Sequence, residues 1–186
     1  MTNTPGVLDA AVADLTLALI LACRRHLVAS DRFVREKRWR RGWALPELLG
    51  HDLAGSTLGL VGMGRIGSEV ARRAEAFGMR VVHHRRSDGL PLDGLLRTSD
   101  VVSLHVPLTP ETRGLVSRER LALLQDGATL INTARGAIVD EEALVAELVS
   151  GRISAGLDVF ADEPRVPEPL LDLPNVVLTP HIASAE

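Results

Sequence analysis

The sequence predicts an α/β domain built on a doubly wound parallel sheet. Two observations carry this expectation. From Thr57 onward, short apolar runs alternate with helical patterns, and parallel strands require such crossover helices. The runs are also apolar throughout rather than alternating, as strands covered on both faces are.

Taken in order, residues 9–34 place Val12, Leu15, Leu19, Ala22 and Cys23 at helical spacing and predict one long helix, which turns basic over 32–41 and continues as an arm. Strands are expected over 58–61, 81–82, 101–106, 128–131, 155–159 and 176–178. Helices are expected over 66–77, 92–98, 118–124 and 141–150. Pro164, Pro167 and Pro169 mark a largely extended loop.

Composition narrows the function. The 186 residues suffice for one domain with a buried core. With 21 basic and 24 acidic side chains the net charge is -3, which argues against a general polyanion binder and sets nucleic acid aside. The longest apolar stretch, 15–23, falls well short of the roughly 20 residues that span a bilayer, so no membrane association is expected. No secretion signal is evident. Cys23 stands alone in an apolar helical run, which excludes an intrachain disulfide and suits a reducing, cytoplasmic compartment. No His, Asp and Glu cluster has metal-ligand spacing, so no metal is expected.

Gly62-Met63-Gly64-Arg65-Ile66-Gly67 directly follows one predicted strand and opens a predicted helix. In that setting Gly62 makes a tight turn, Gly64 lets the backbone approach a pyrophosphate, and Gly67 lets helix and strand pack closely. The helix N-terminus offers free N–H groups to the anion. This is the fingerprint of a Rossmann-like dinucleotide-binding domain, with Met63, Arg65 and Ile66 in the same loop. About 20 residues further on, NAD enzymes carry an acid for the ribose hydroxyls. Here the strand ends in His84, Arg85, Arg86 and Ser87, cations and a hydroxyl that suit a 2′-phosphate, so NADP(H) is expected over NAD(H).

Three further motifs fall at predicted strand ends, the edge where open α/β sheets bind ligands: 132–136 (Asn-Thr-Ala-Arg-Gly), 156–164 (Gly-Leu-Asp-Val-Phe-Ala-Asp-Glu-Pro) and 179–184 (Thr-Pro-His-Ile-Ala-Ser). With 104–109 (Leu-His-Val-Pro-Leu-Thr) and the glycine loop, they make the chain resemble the cofactor domain of the D-2-hydroxyacid dehydrogenase family. The resemblance runs from the helix near Val7 to Ser184. It implies a catalytic trio of Arg135, Glu163 and His181, the acid being Glu163 rather than Asp162 because the motif sets it immediately before proline. It also implies that Asp158 bonds the nicotinamide carboxamide and that Pro107 walls the adenosine side, with Thr133, Ala134 and Ala183 completing the cofactor set.

The chemistry is coherent on its own terms. Reducing a 2-keto acid needs a hydride from nicotinamide, a proton for the new alkoxide and a cation for the carboxylate. Arg135 offers a planar, permanently charged fork. His181, with an ordinary pKa of about 6.5, can donate the proton. Glu163 beside it would orient the ring and favour imidazolium. His105 is not expected to be catalytic, and His26, His51 and His83 have no acidic partner at useful spacing.

The basic strand end at Arg85 and Arg86 resembles the glyoxylate and hydroxypyruvate reductase subgroup of the family, which implies an NADPH-dependent reductase of one of these keto acids. A non-catalytic dinucleotide-sensing dimerisation module and a phosphoglycerate-type NAD dehydrogenase are the alternatives. The arm over 32–43 holds six basic residues and two Trp. In the family the matching helix and arm cross to a partner subunit, which implies a homodimer through residues 7–43. The resemblance also implies a substrate-capping domain outside this chain, with 1–50 serving as hinge helix and arm and 51–186 as the core. Turnover by this chain alone is then expected to be small, since closure holds the reacting geometry. The segment between Arg86 and Asp100 is shorter than the resemblance implies.

Overall fold

A computed structural model describes residues 8–40, 42 and 48–184. The first helix, α1 (Asp9–Arg24), buries Ala13, Thr16, Leu17, Ile20 and Cys23 along one stripe of 3.6 period. Burial pushes the Cys23 thiol up to about 12, so it is an inert core residue.

The single long helix expected over 9–34 is in fact two. The Arg24 carbonyl accepts the His51 N–H at 2.8 Å rather than a helical donor four residues on, and His26 adopts the left-handed region at φ 49. The chain restarts as α2 (Leu27–Arg35). A contact from 27 residues downstream ends α1, so periodicity alone could not place the break. Arg41 and Trp43 of the predicted arm, and Val7 before α1, lie outside the described residues.

The core follows as β1 (Thr57–Val61), α3 (Arg65–Ala76), β2 (Arg80–Arg85), β3 (Asp88–Gly89), α4 (Leu92–Thr98), β4 (Val101–Leu104), α5 (Arg118–Leu121), β5 (Thr129–Asn132), α6 (Glu141–Val149), β6 (Ser154–Leu157) and β7 (Val176–Leu178). The seven strands lie in the order β3-β2-β1-β4-β5-β6-β7. All pairs are parallel except the two-residue β3, which folds back antiparallel on β2. That strand was not expected.

Strand residues alternate between two cores, which is why β1, β4 and β5 are buried throughout. Leu58, Leu60, Val101 and Ile131 pack beneath α1 and α3. Val61, Val102, Leu104 and Leu130 pack against α4, α5 and α6 on the opposite face. Helix α6 starts where it does because the Asp140 carboxylate caps the Ala143 N–H at 3.0 Å, with Glu141 and Glu142 in the favourable first turn. The expected strands over 101–106 and 155–159 each stop earlier, because their last residues leave the ladder to form the loops of the site. The loop after Pro164 is not wholly extended, since 168–170 form a 3₁₀ turn.

Candidate active site

The register lines up one row across the sheet. His84 is paired with Val61, Val61 with Leu104, Leu104 with Asn132, Asn132 with Leu157, and Leu157 with Leu178. The residues that follow each member of this row are Arg85, Gly62, His105, Thr133, Asp158 and Thr179. Parallel pairing therefore collects every predicted site motif at the carboxyl edge, where strand ends leave room for a ligand.

A cleft of about 680 Å³ opens there. Gly64, Arg65 and Ile66 form one side, with Pro107, Thr133, Ala134, Arg135, His181 and Ala183 across from them. Gly62 turns at φ +103, and a Cβ on it would strike the His105 carbonyl. A Cβ on Gly67 would strike the Gly62 carbonyl. At Gly64 nothing lies within 4 Å, so its backbone faces open space beside the N-terminal N–H groups of α3. Two glycines thus make the turn and the third leaves a cradle that a dinucleotide pyrophosphate fits. Met63 and the flank of Ile66 pack inward against the core, so Met63 supports the loop from below.

Leu8, Asp9 and Val12 form a wall of the cleft that the motifs did not reveal. The Asp9 carboxylate lies 3.0 Å from Arg65 Nε and ties the first turn of α1 to the glycine loop. No local signal marks Asp9, because an acid in a first helical turn is ordinary.

Asp158 is fully buried. Its Oδ1 accepts from Thr179 Oγ1 at 2.6 Å and Ile182 N at 2.9 Å, and its Oδ2 accepts from Ala183 N at 2.9 Å. Its carbonyl accepts the His181 N–H at 2.9 Å. The loop over 179–183 is therefore wrapped on one carboxylate, which holds His181 at φ 55, a conformation that favours glycine. Oδ1 takes two of the three bonds and Oδ2 one, so one acceptor position remains on Oδ2.

His181 Nδ1 lies 2.7 Å from Glu163 Oε2, leaving Nε2 as the nitrogen free to serve a substrate. Glu163 Oε1 accepts from the Phe160 N–H at 3.1 Å. Burial pushes the Glu163 carboxyl up, but the His181 bond, the Phe160 bond and the charges of His181 and Arg135 outweigh it, and the net shift is downward. Glu163 is a carboxylate at neutral pH. Arg135 is exposed and rests one N–H on the Ala134 carbonyl at 2.5 Å. Burial lowers the His105 imidazole to about 4, and its Nε2 lies 2.9 Å from Ser103 Oγ. A neutral ring tied to the sheet is no proton donor at neutral pH.

The loops bearing Arg135 and Glu163 meet at Gly136, where a Cβ would overlap the Phe160 backbone. Neither backbone can retreat without moving a site residue. Gly136→Ala is expected to destabilise the fold by about 1–3 kcal/mol, read as a fall in the urea midpoint.

The predicted residues 84–87 do not line this cleft; at the end of β2 His84 Nδ1 bonds the Leu90 carbonyl at 2.8 Å, which commits that ring to the β2–β3 hairpin. Arg85, Arg86 and Ser87 are exposed. The hairpin folds residue 88 back beside the strand and brings Asp88 Oδ2 to 3.7 Å from His83 Nε2, too far for a hydrogen bond, so that ring nitrogen is buried without a hydrogen-bond partner among the described residues.

The family model described as D-isomer specific 2-hydroxyacid dehydrogenase, NAD binding domain, matches residues 17–183. The glyoxylate reductase of Korarchaeum cryptofilum is 50% identical over 198 residues, covering 100% of this chain and 60% of that protein. The hydroxypyruvate reductase of Thermotoga maritima is 46% identical over 195 residues, covering 98% of this chain and 62% of that protein. The NADPH-dependent glyoxylate/hydroxypyruvate reductase of Sinorhizobium meliloti, solved with NADP and malonate, superposes with a TM-score of 0.91 at 45% identity, over 100% of this chain and 60% of that one. The chain thus spans about 60% of the length of these relatives. No helix among the described residues is long and apolar enough to cross a membrane. The glycine loop, the strand-end row and the match over 17–183 lead to one conclusion: the chain belongs to the D-isomer specific 2-hydroxyacid dehydrogenase family, as its NAD-binding domain.

Proposed function

We propose that this chain is the cofactor domain of a cytoplasmic NADPH-dependent reductase that converts a small 2-keto acid, of the glyoxylate or hydroxypyruvate kind, to the D-2-hydroxy acid. The observation that carries the reading is the Glu163–His181 pair beside the cleft that the glycine loop opens into. A bound dinucleotide supplies the hydride. Arg135 holds the substrate carboxylate and polarises its carbonyl. His181 donates a proton from Nε2 to the forming alkoxide, while Glu163 fixes the ring and balances its charge. The test is loss of NADPH absorbance on adding glyoxylate or hydroxypyruvate to protein that carries a substrate-capping domain beside these residues. NADPH binding there with no keto acid consumed would favour the sensing alternative.

For the cofactor, Arg85, Arg86 and Ser87 at the end of β2 support a 2′-phosphate site. Calorimetric titration is expected to give NADPH at least about tenfold tighter binding than NADH, a difference of about 1.4 kcal/mol. Equal affinities would remove the NADPH preference.

A homodimer through residues 7–43 is part of the same proposal. Helix α2 exposes Leu27, Val28 and Val34, and Trp39 follows, also exposed, among Arg side chains of the kind that rim interfaces. Val34→Glu is expected to shift the chain to monomer in sedimentation equilibrium. A wild-type monomer would defeat the assignment.

A further inference from the structure

We propose that Asp88 is a specificity-determining residue whose carboxylate competes with the cofactor 2′-phosphate for Arg85 and Ser87, so that the strand end discriminates NADPH from NADH less sharply than its two arginines alone would. The proposal rests on the reading of 85–87 as a 2′-phosphate site. Arg85 and Asp88 are directly paired across the β2–β3 hairpin. Asp88 Oδ1 lies 3.6 Å from Arg85 Nε and accepts from Ser87 Oγ at 3.2 Å. Two of the groups offered to a phosphate are thus already turned toward an internal anion. Among the described residues no ion pair or side-chain hydrogen bond engages Arg86.

The acid is placed by the backbone rather than by a loose tail. Gly89 turns at φ +88, and a Cβ on it would overlap the His83 carbonyl. The Leu90 N–H donates to that same carbonyl at 2.8 Å, and the Leu90 carbonyl meets His84 Nδ1. Asp88 is therefore anchored beside Arg85 and His83. The Arg85–Asp88 pair is about half exposed on both sides, and such pairs hold weakly, so a phosphate can displace the carboxylate but must do so against its charge. NADH, lacking the phosphate, meets no such opposition.

The test is calorimetric titration of NADPH and NADH into the chain and its variants. Asp88→Asn is expected to tighten NADPH by about three- to tenfold at low salt while NADH changes less than about twofold. Asp88→Glu, which keeps the charge, should stay near wild type. The gain should shrink in the Arg85→Ala background, since the competition runs through that side chain. Unchanged or weaker NADPH binding by Asp88→Asn, while Arg85→Ala or Arg86→Ala weakens NADPH, would overturn the proposal and leave the phosphate site standing. If the arginine variants leave the NADPH-to-NADH ratio unchanged, the phosphate site itself falls and the proposal with it.

Discussion

His181→Ala is expected to lower turnover of a 2-keto acid by about 10²–10⁴-fold in protein that carries a substrate-capping domain beside these residues, with NADPH affinity nearly unchanged. The split follows from geometry. His181 is exposed at the cleft with Nδ1 committed to Glu163, so its loss removes the proposed proton donor, which would act only as the alkoxide forms. In the proposed binding mode the phosphate and ribose ends of the cofactor would lie along the glycine loop and the end of β2, away from this ring. Glu163→Gln should cost less, because the amide still orients the ring but no longer balances its charge. The double variant should be about as slow as His181→Ala alone, since the two side chains act as one unit. Single-turnover kinetics with calorimetry would read the split. An unchanged rate in His181→Ala would remove this residue from the chemistry.

Asp158→Ala is expected to destabilise the fold by about 3–5 kcal/mol, because it strands the Thr179 hydroxyl and the Ile182 and Ala183 N–H groups. The larger consequence is functional. These bonds wrap the loop that holds His181 in its left-handed conformation, and a displacement of about 1 Å can cost about 10²-fold in rate. Asp158→Asn keeps the volume but turns an NH₂ group toward protein donors, so it should rescue stability only in part. Urea unfolding measures the first effect, and faster amide exchange at Ile182 and Ala183 the second. Wild-type exchange in a folded Asp158→Ala variant would show that the loop is held by other means.

Much of this was legible residue by residue. The strand–glycine–helix order at 58–67 announced both the fold class and the cofactor loop, because a turn at φ +103 and two close approaches leave little choice but glycine. Arg135, Glu163 and His181 were legible as motif members next to predicted strand ends. The helix over 92–98 and the strand over 176–178 stand where the pattern set them.

Other features had no local mark. The break between α1 and α2 depends on His51 reaching the Arg24 carbonyl. Asp9 reads as an ordinary first-turn acid until α1 packs on α3 and brings it to Arg65. Asp158 reads as a ligand contact, and nothing local shows that three donors from 179–183 also converge on it. Asp88 became a neighbour of Arg85 and His83 only once the hairpin closed.

By itself, then, the sequence determined the alternation of strands and helices, the glycine turn and the residue types offered for chemistry, since periodicity and backbone freedom act over a few neighbouring positions. Only the tertiary structure decided which carboxylate faces which donor, where α1 ends and how α1 walls the cleft. Those outcomes depend on pairs separated by tens of residues, brought together by the parallel register that aligns Val61, Leu104, Asn132 and Leu157 in one row.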